Sequence, residues 1–135
     1  MIGHIAVNVP DLEVARAYYD RLMPAVAFEP FLVDDDQFAY RPAAGKPGTF
    51  LFFYPSGVSA EEGGYSREAT GLQHLAFIVP TRTRVREVHD LVVRLGSEIL
   101  HEPRDFPEYP PPYHATFWLD PHGFMLEAVC HKDRD

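Results

Sequence analysis

Two stretches decide how this chain reads: GHIAVNVP at residues 3–10 and QHLAFIVP at residues 73–80. Each carries a histidine, then alternating apolar residues, then Val-Pro. Seventy residues separate the copies in a chain of 135. A period of two marks a strand, because successive side chains point to opposite faces. In the first copy Ile2, His4, Ala6 and Asn8 share one face, and Ile5, Val7 and Val9 share the other. In the second, His74, Ala76 and Ile78 lie opposite Leu75, Phe77 and Val79. The wholly apolar face of each strand asks for a packing partner. The histidine sits on the face that remains.

Working outward, proline stops each strand at Pro10 and Pro80, and a capping residue follows, Asp11 or Thr81. Leu12, Ala15, Tyr19 and Leu22 then form a helical stripe. Val85, Val88, Val92 and Leu95 form its counterpart, with Gly96 placed to end the helix. Strand-like patterns follow each helix, roughly at 26–33, 36–41 and 49–54, then at 97–101, 114–119 and 124–130. The turns Gly45-Lys46-Pro47-Gly48 and Asp120-Pro121-His122-Gly123 precede the last strand of each half. Each half therefore reads βαβββ. The expected fold class is α+β, with two βαβββ modules forming a curved mixed sheet that carries its helices on one face. A single domain over 1–135 is expected, with module 1 at 1–56, a linker at about 57–71 and module 2 at 72–131.

Bulk composition narrows the function classes. With 12 basic and 20 acidic side chains the net charge is −8, which disfavours the basic surface that nucleic-acid binding needs. No apolar run approaches the ~20 residues of a membrane span. The lone cysteine, Cys130, allows no internal disulfide and fits a cytoplasmic setting, and no signal peptide is legible after Met1. Prolines cluster over 103–112, predicting a stiff extended loop.

The last strand adds the chemistry. Within 124–130, Met125, Glu127 and Val129 alternate with Phe124, Leu126, Ala128 and Cys130. Glu127 is thus a carboxylate inside an apolar strand, a costly placement unless it is paired or bound to a metal. Together with His4 and His74 it makes a two-imidazole, one-carboxylate set suited to one divalent ion: Fe(II), Mn(II), Zn(II), Ni(II) or Co(II). Three protein ligands leave coordination positions open for a substrate. Aligning the two turns on Gly48 and Gly123 sets Phe52 at the position of Glu127, so the first half supplies one ligand and the second half two. Tyr109 and Tyr113, in the loop Phe106–Tyr113, and Phe52 and Trp118 are candidates for lining a substrate pocket; core packing is the default for Phe52, Tyr54 and Trp118. Of the remaining histidines, His89, His101, His122 and His131 read as helix-surface, strand-end or turn residues, and His114 opens a strand with one face toward the cavity.

The paired modules, the strand-borne histidines and FWLDPHGFMLEAV at 117–129 resemble the vicinal oxygen chelate superfamily, which holds glyoxalase I, fosfomycin-resistance enzymes, extradiol dioxygenases and bleomycin-resistance proteins. The resemblance spans nearly the whole chain, and Asp-Pro-x-Gly-x-x-x-Glu, here Asp120 to Glu127, is its most specific part. It implies that His4, His74 and Glu127 are metal ligands, that Glu127 is also catalytic, and that the chain forms a homodimer. Phe52 stands where glyoxalase I places a carboxylate or glutamine, so the implied ligand set is closer to that of extradiol dioxygenases and fosfomycin-type enzymes. The expected function is a divalent-metal-dependent enzyme that chelates vicinal oxygens of a small organic substrate, by lyase, isomerase, dioxygenase or addition chemistry. The alternative is a non-enzymatic drug- or metabolite-binding protein of the bleomycin-resistance kind.

Overall fold

A computed structural model describes residues 1–57 and 65–135. The chain divides into two compact units, residues 1–64 and 65–135. The expected linker falls partly outside the described residues.

In the first unit β1 (His4–Val9) leads into α1 (Leu12–Leu22), a 3₁₀ turn (Met23–Val26), β2 (Phe28–Asp34), β3 (Gln37–Pro42) and β4 (Phe50–Pro55). The strand order is β1-β4-β3-β2, with β1 parallel to β4 and the other pairs antiparallel. Asp11 caps α1 by accepting a hydrogen bond from the Val14 N–H at 3.0 Å. The helix buries Ala15, Tyr18, Tyr19 and Leu22. Tyr18 joins the expected stripe because a helix laid on a sheet needs an apolar arc wider than a single row. The sheet answers with Val7, Val9, Phe38, Tyr40, Leu51 and Phe53, all buried. Phe53 stacks on Phe38 at 4.7 Å between centroids and meets Tyr19 at 4.4 Å.

The second unit repeats the plan: β5 (His74–Ile78), α2 (Arg82–Arg94), β6 (Ile99–Asp105), β7 (His114–Leu119) and β8 (Met125–Cys130). Its order is β5-β8-β7-β6, again with one parallel pair, β5 and β8. Thr81 caps α2 through the Arg84 N–H at 3.0 Å, and Val85, Val88 and Val92 are its buried stripe. Each unit is therefore a mixed four-stranded sheet with one helix over one face, and the α+β reading with two βαβββ modules holds.

One strand departs from expectation. β6 runs through Pro103 to Asp105 rather than ending at 101. It lies at the outer edge of its sheet, where a residue without an N–H breaks no ladder on the solvent side. β2, the equivalent edge strand, carries Pro30 in the same way, and both ladders slip in register near the proline. The Asp120–Gly123 turn explains its own sequence: buried Asp120 accepts from the N–H groups of His122 and Phe124 at 2.8 and 2.9 Å, and Gly123 adopts φ +91°. That turn launches β8 and so sets the alternation that places Glu127.

Candidate metal centre

In β8, Glu127 pairs across the sheet with Ala76 of β5 and Phe117 of β7. His74 lies two residues along from Ala76, so strand alternation puts the His74 and Glu127 side chains on one face. This is the face away from α2. Its neighbours are Ala115, Phe117 and Val129, which form an apolar cluster with Phe106. Glu127 is fully buried there.

The two carboxylate oxygens have different surroundings. Oε2 accepts a hydrogen bond from the Tyr113 hydroxyl at 2.6 Å. Oε1 lies 3.2 Å from His74 Nε2, yet no well-formed hydrogen bond from the described residues reaches it. On the other side of the ring, His74 Nδ1 is 3.0 Å from the Gln73 side-chain oxygen, a contact that orients the imidazole. His74 Nε2 and the buried carboxylate oxygen thus face one another across 3.2 Å, an ion pair when the imidazole is protonated. An imidazole oriented by a second hydrogen bond is the usual state of a metal-ligating histidine. An imidazole nitrogen and a carboxylate oxygen are donor types that a divalent ion takes.

His4 is on the equivalent strand of the first unit. It is exposed, and its ring meets the edge of Phe52 at 5.4 Å between centroids. In that sheet Ala6 pairs with Phe52 just as Ala76 pairs with Glu127 in the other. The turn alignment of Phe52 with Glu127 is thus matched by the ladder registers. Around Phe52 lie Phe31, Phe50 and Tyr54, an aromatic face carrying His4. Among the described residues, no group of three His, Cys, Asp or Glu side chains is gathered closely enough to hold a metal.

The expected pocket residues separate. Tyr113 reaches Glu127. Tyr109 lies beside the Tyr113 ring, tilted against it at 4.7 Å between centroids, and is exposed. Phe52 belongs to the aromatic face of the first unit. Trp118 pairs with Leu126, on the side of β7 opposite to Phe117, and is completely buried in the core under α2. His114 takes that side as well, because it alternates with Ala115, and so turns from the face that bears Glu127.

Sequence reasoning missed three partners: Gln73, which orients His74; Tyr113 as donor to Glu127; and Asp105, whose carboxylate is 2.8 Å from His114 Nδ1. Adjacency of Gln73 to His74 was the only available signal among them. The His114 hydrogen bond holds the Asp105 carboxyl below the usual carboxylate range. Its stabilising contribution is therefore complete above the ordinary aspartate value and is lost as pH falls through the lowered one. In His114→Ala, a carboxyl-carbon NMR titration will find Asp105 back in the ordinary range; an unchanged midpoint would remove His114 as the cause.

Two βαβββ modules, each a mixed sheet backed by one helix, define a class of paired-module proteins. The chain belongs to the Glyoxalase/Bleomycin resistance protein/Dioxygenase superfamily, whose family model matches residues 1–128. Among solved structures it is similar to a glyoxalase candidate from Bacillus halodurans, with 28% identity and a TM-score of 0.83 over 96% of this chain and 95% of that one. A glyoxalase/bleomycin resistance protein from Albidiferax ferrireducens T118 is 20% identical, with a TM-score of 0.72 over 98% and 99% of the two chains. A lactoylglutathione lyase from Agrobacterium tumefaciens is 18% identical, with a TM-score of 0.67 over 96% and 92%; at these two identities the likeness is one of fold. A comparison with curated proteins finds no match.

Proposed function

We propose that this protein is a divalent-metal-dependent enzyme that binds neighbouring oxygens of a small organic substrate, with His4, His74 and Glu127 as the metal ligands. One observation carries the reading: the fully buried Glu127 directs Oε1 at His74 Nε2, 3.2 Å away. When bound, an Fe, Mn, Zn, Ni or Co ion supplies Lewis acidity toward negative charge building on a substrate oxygen. His74 is held for that task by Gln73. Glu127 is the carboxylate able to take a proton from substrate. The apolar surroundings of Glu127 exclude water, and the aromatic face beside His4 favours a substrate with an apolar or aromatic portion. A homodimer in the cytoplasm is the proposed setting; no helix among the described residues is long and apolar enough to cross a membrane.

The second reading is sequestration of a drug or metabolite without catalysis. The aromatic face of Phe31, Phe50, Phe52 and Tyr54 favours it, and the net charge of −8 suits a cationic guest. Elemental analysis separates the two. Protein purified with divalent metal present is expected to carry about one ion per chain, and His4→Ala or His74→Ala to lose most of it. Metal content unchanged in both variants sinks the ligand assignment. Binding of aromatic cations by a metal-free protein supports sequestration.

A further inference from the structure

The fold gives Glu127 a partner that the ligand assignment does not use. The Tyr113 hydroxyl is 2.6 Å from Glu127 Oε2, and its position is set from several directions. The Phe106 N–H donates to the Tyr113 carbonyl at 2.9 Å and so closes the loop Phe106–Tyr113 at its base. The Tyr113 ring contacts Phe106, Tyr109 and His131 at 6.1, 4.7 and 5.0 Å between centroids. Phe106 anchors the loop by inserting, almost fully buried, against Phe117, Ala115 and Val129. On its outer side the loop borders a cleft of about 400 Å3 that Arg82, Asp105 and Asp133 also line. Tyr113 thus stands between that cleft and the carboxylate.

We propose that Tyr113 is a positioning residue that engages Glu127 Oε2 and leaves Oε1, the oxygen facing His74, as the single carboxylate atom offered to a metal. This rests on the metal reading above. A carboxylate held at one oxygen binds an ion through the other, whereas a free carboxylate can swing or chelate with both. One-point attachment keeps an additional coordination position for substrate. It also spares Glu127 the loss of freedom that binding would otherwise impose, because the hydroxyl has already chosen its orientation.

The test is Tyr113→Phe, which keeps the ring and its packing and removes only the hydroxyl. Co(II) is the probe, since its visible absorption reports coordination number directly. Loss of the hydroxyl is expected to weaken Co(II) binding about tenfold or more and to lower the absorption intensity, as a second carboxylate oxygen joins the ion. Isotope-edited infrared spectroscopy with labelled glutamate gives an independent reading: the two carboxylate stretches of Glu127 will lie closer together in the Co(II)-loaded variant than in the parent. A structural role alone would change thermal stability and leave both spectra as they are. Unchanged spectra and affinity in Tyr113→Phe, with Co(II) binding abolished in Glu127→Gln, overturn the role of Tyr113 and leave the ligand assignment standing. Parent-like Co(II) binding in both Glu127→Gln and His74→Ala removes the metal centre and the Tyr113 role with it.

Discussion

Glu127→Gln will be more stable than the parent when both are stripped of metal, and it will hold no metal when both are reloaded. The parent buries a carboxylate completely, satisfies Oε2 through Tyr113, and leaves Oε1 facing His74 Nε2 without a well-formed hydrogen bond among the described residues. Burying such a group costs several kcal/mol unless each oxygen finds a donor or a cation. A glutamine keeps the shape. Its oxygen accepts from Tyr113, and its amide donates to His74 Nε2 once the neutral imidazole carries its proton on Nδ1. A gain of about 1–3 kcal/mol is expected, measured as urea unfolding of chelator-treated protein. Metal affinity falls in the same variant by more than about 100-fold, because a neutral amide replaces a charged ligand and even loss of an outer partner can cost that much. Stability and function thus pull this position in opposite directions, as they do where a site carries strain for its chemistry. Should Glu127→Gln unfold at lower urea than the parent, His74 and Glu127 form a stabilising ion pair, and the cost assigned to Oε1 falls away.

The second large effect belongs to the opposite face of the same sheet. Trp118 is the largest completely buried side chain, lodged between β7 and α2. Trp118→Ala leaves a cavity that neighbours on a hydrogen-bonded strand cannot fill, and should cost about 3–5 kcal/mol. Against a typical total of about 5–15 kcal/mol, that is a large share. Trp118→Phe should cost much less, because it retains an aromatic ring and removes an indole N–H that has no hydrogen-bond partner among the described residues. Far-UV circular dichroism must follow the unfolding, since Trp118 is the chain's single tryptophan and fluorescence disappears with it. A loss below about 1 kcal/mol in Trp118→Ala would mean that this core collapses onto the space left behind.

How far the chain could be read in advance differs from element to element. The strands of GHIAVNVP and QHLAFIVP were legible because a period of two admits few other conformations, and the proline, cap and apolar stripe that follow are local signals. The equivalence of Phe52 and Glu127 was legible for a similar reason: once Gly48 and Gly123 are aligned, alternation carries the register forward, and the parallel ladders agree. The end of β6 was less legible. Pro103 resembles a strand breaker until the strand is known to lie at a sheet edge, and edge position is a property of topology. Trp118 poses the same difficulty in reverse. Its chemistry suits a pocket wall, and only the pairing of Phe117 with Glu127 shows that Trp118 must turn to the helix side.

By itself, the sequence determined two βαβββ modules, the face on which each histidine and Glu127 would lie, and the asymmetry between Phe52 and Glu127. These follow from dihedral periodicity and from the cost of placing a carboxylate in an apolar strand, both of which act over a few residues. The tertiary structure alone decided what Glu127 touches. Tyr113 is 14 residues away along the chain and arrives through a loop whose path depends on where Phe106 anchors. His74 reaches Glu127 because β5 and β8, nearly fifty residues apart, pair in parallel with one particular register. Hydrogen bonds select partners over about 3 Å, a distance that no local pattern encodes when the partners come from separate strands and a loop.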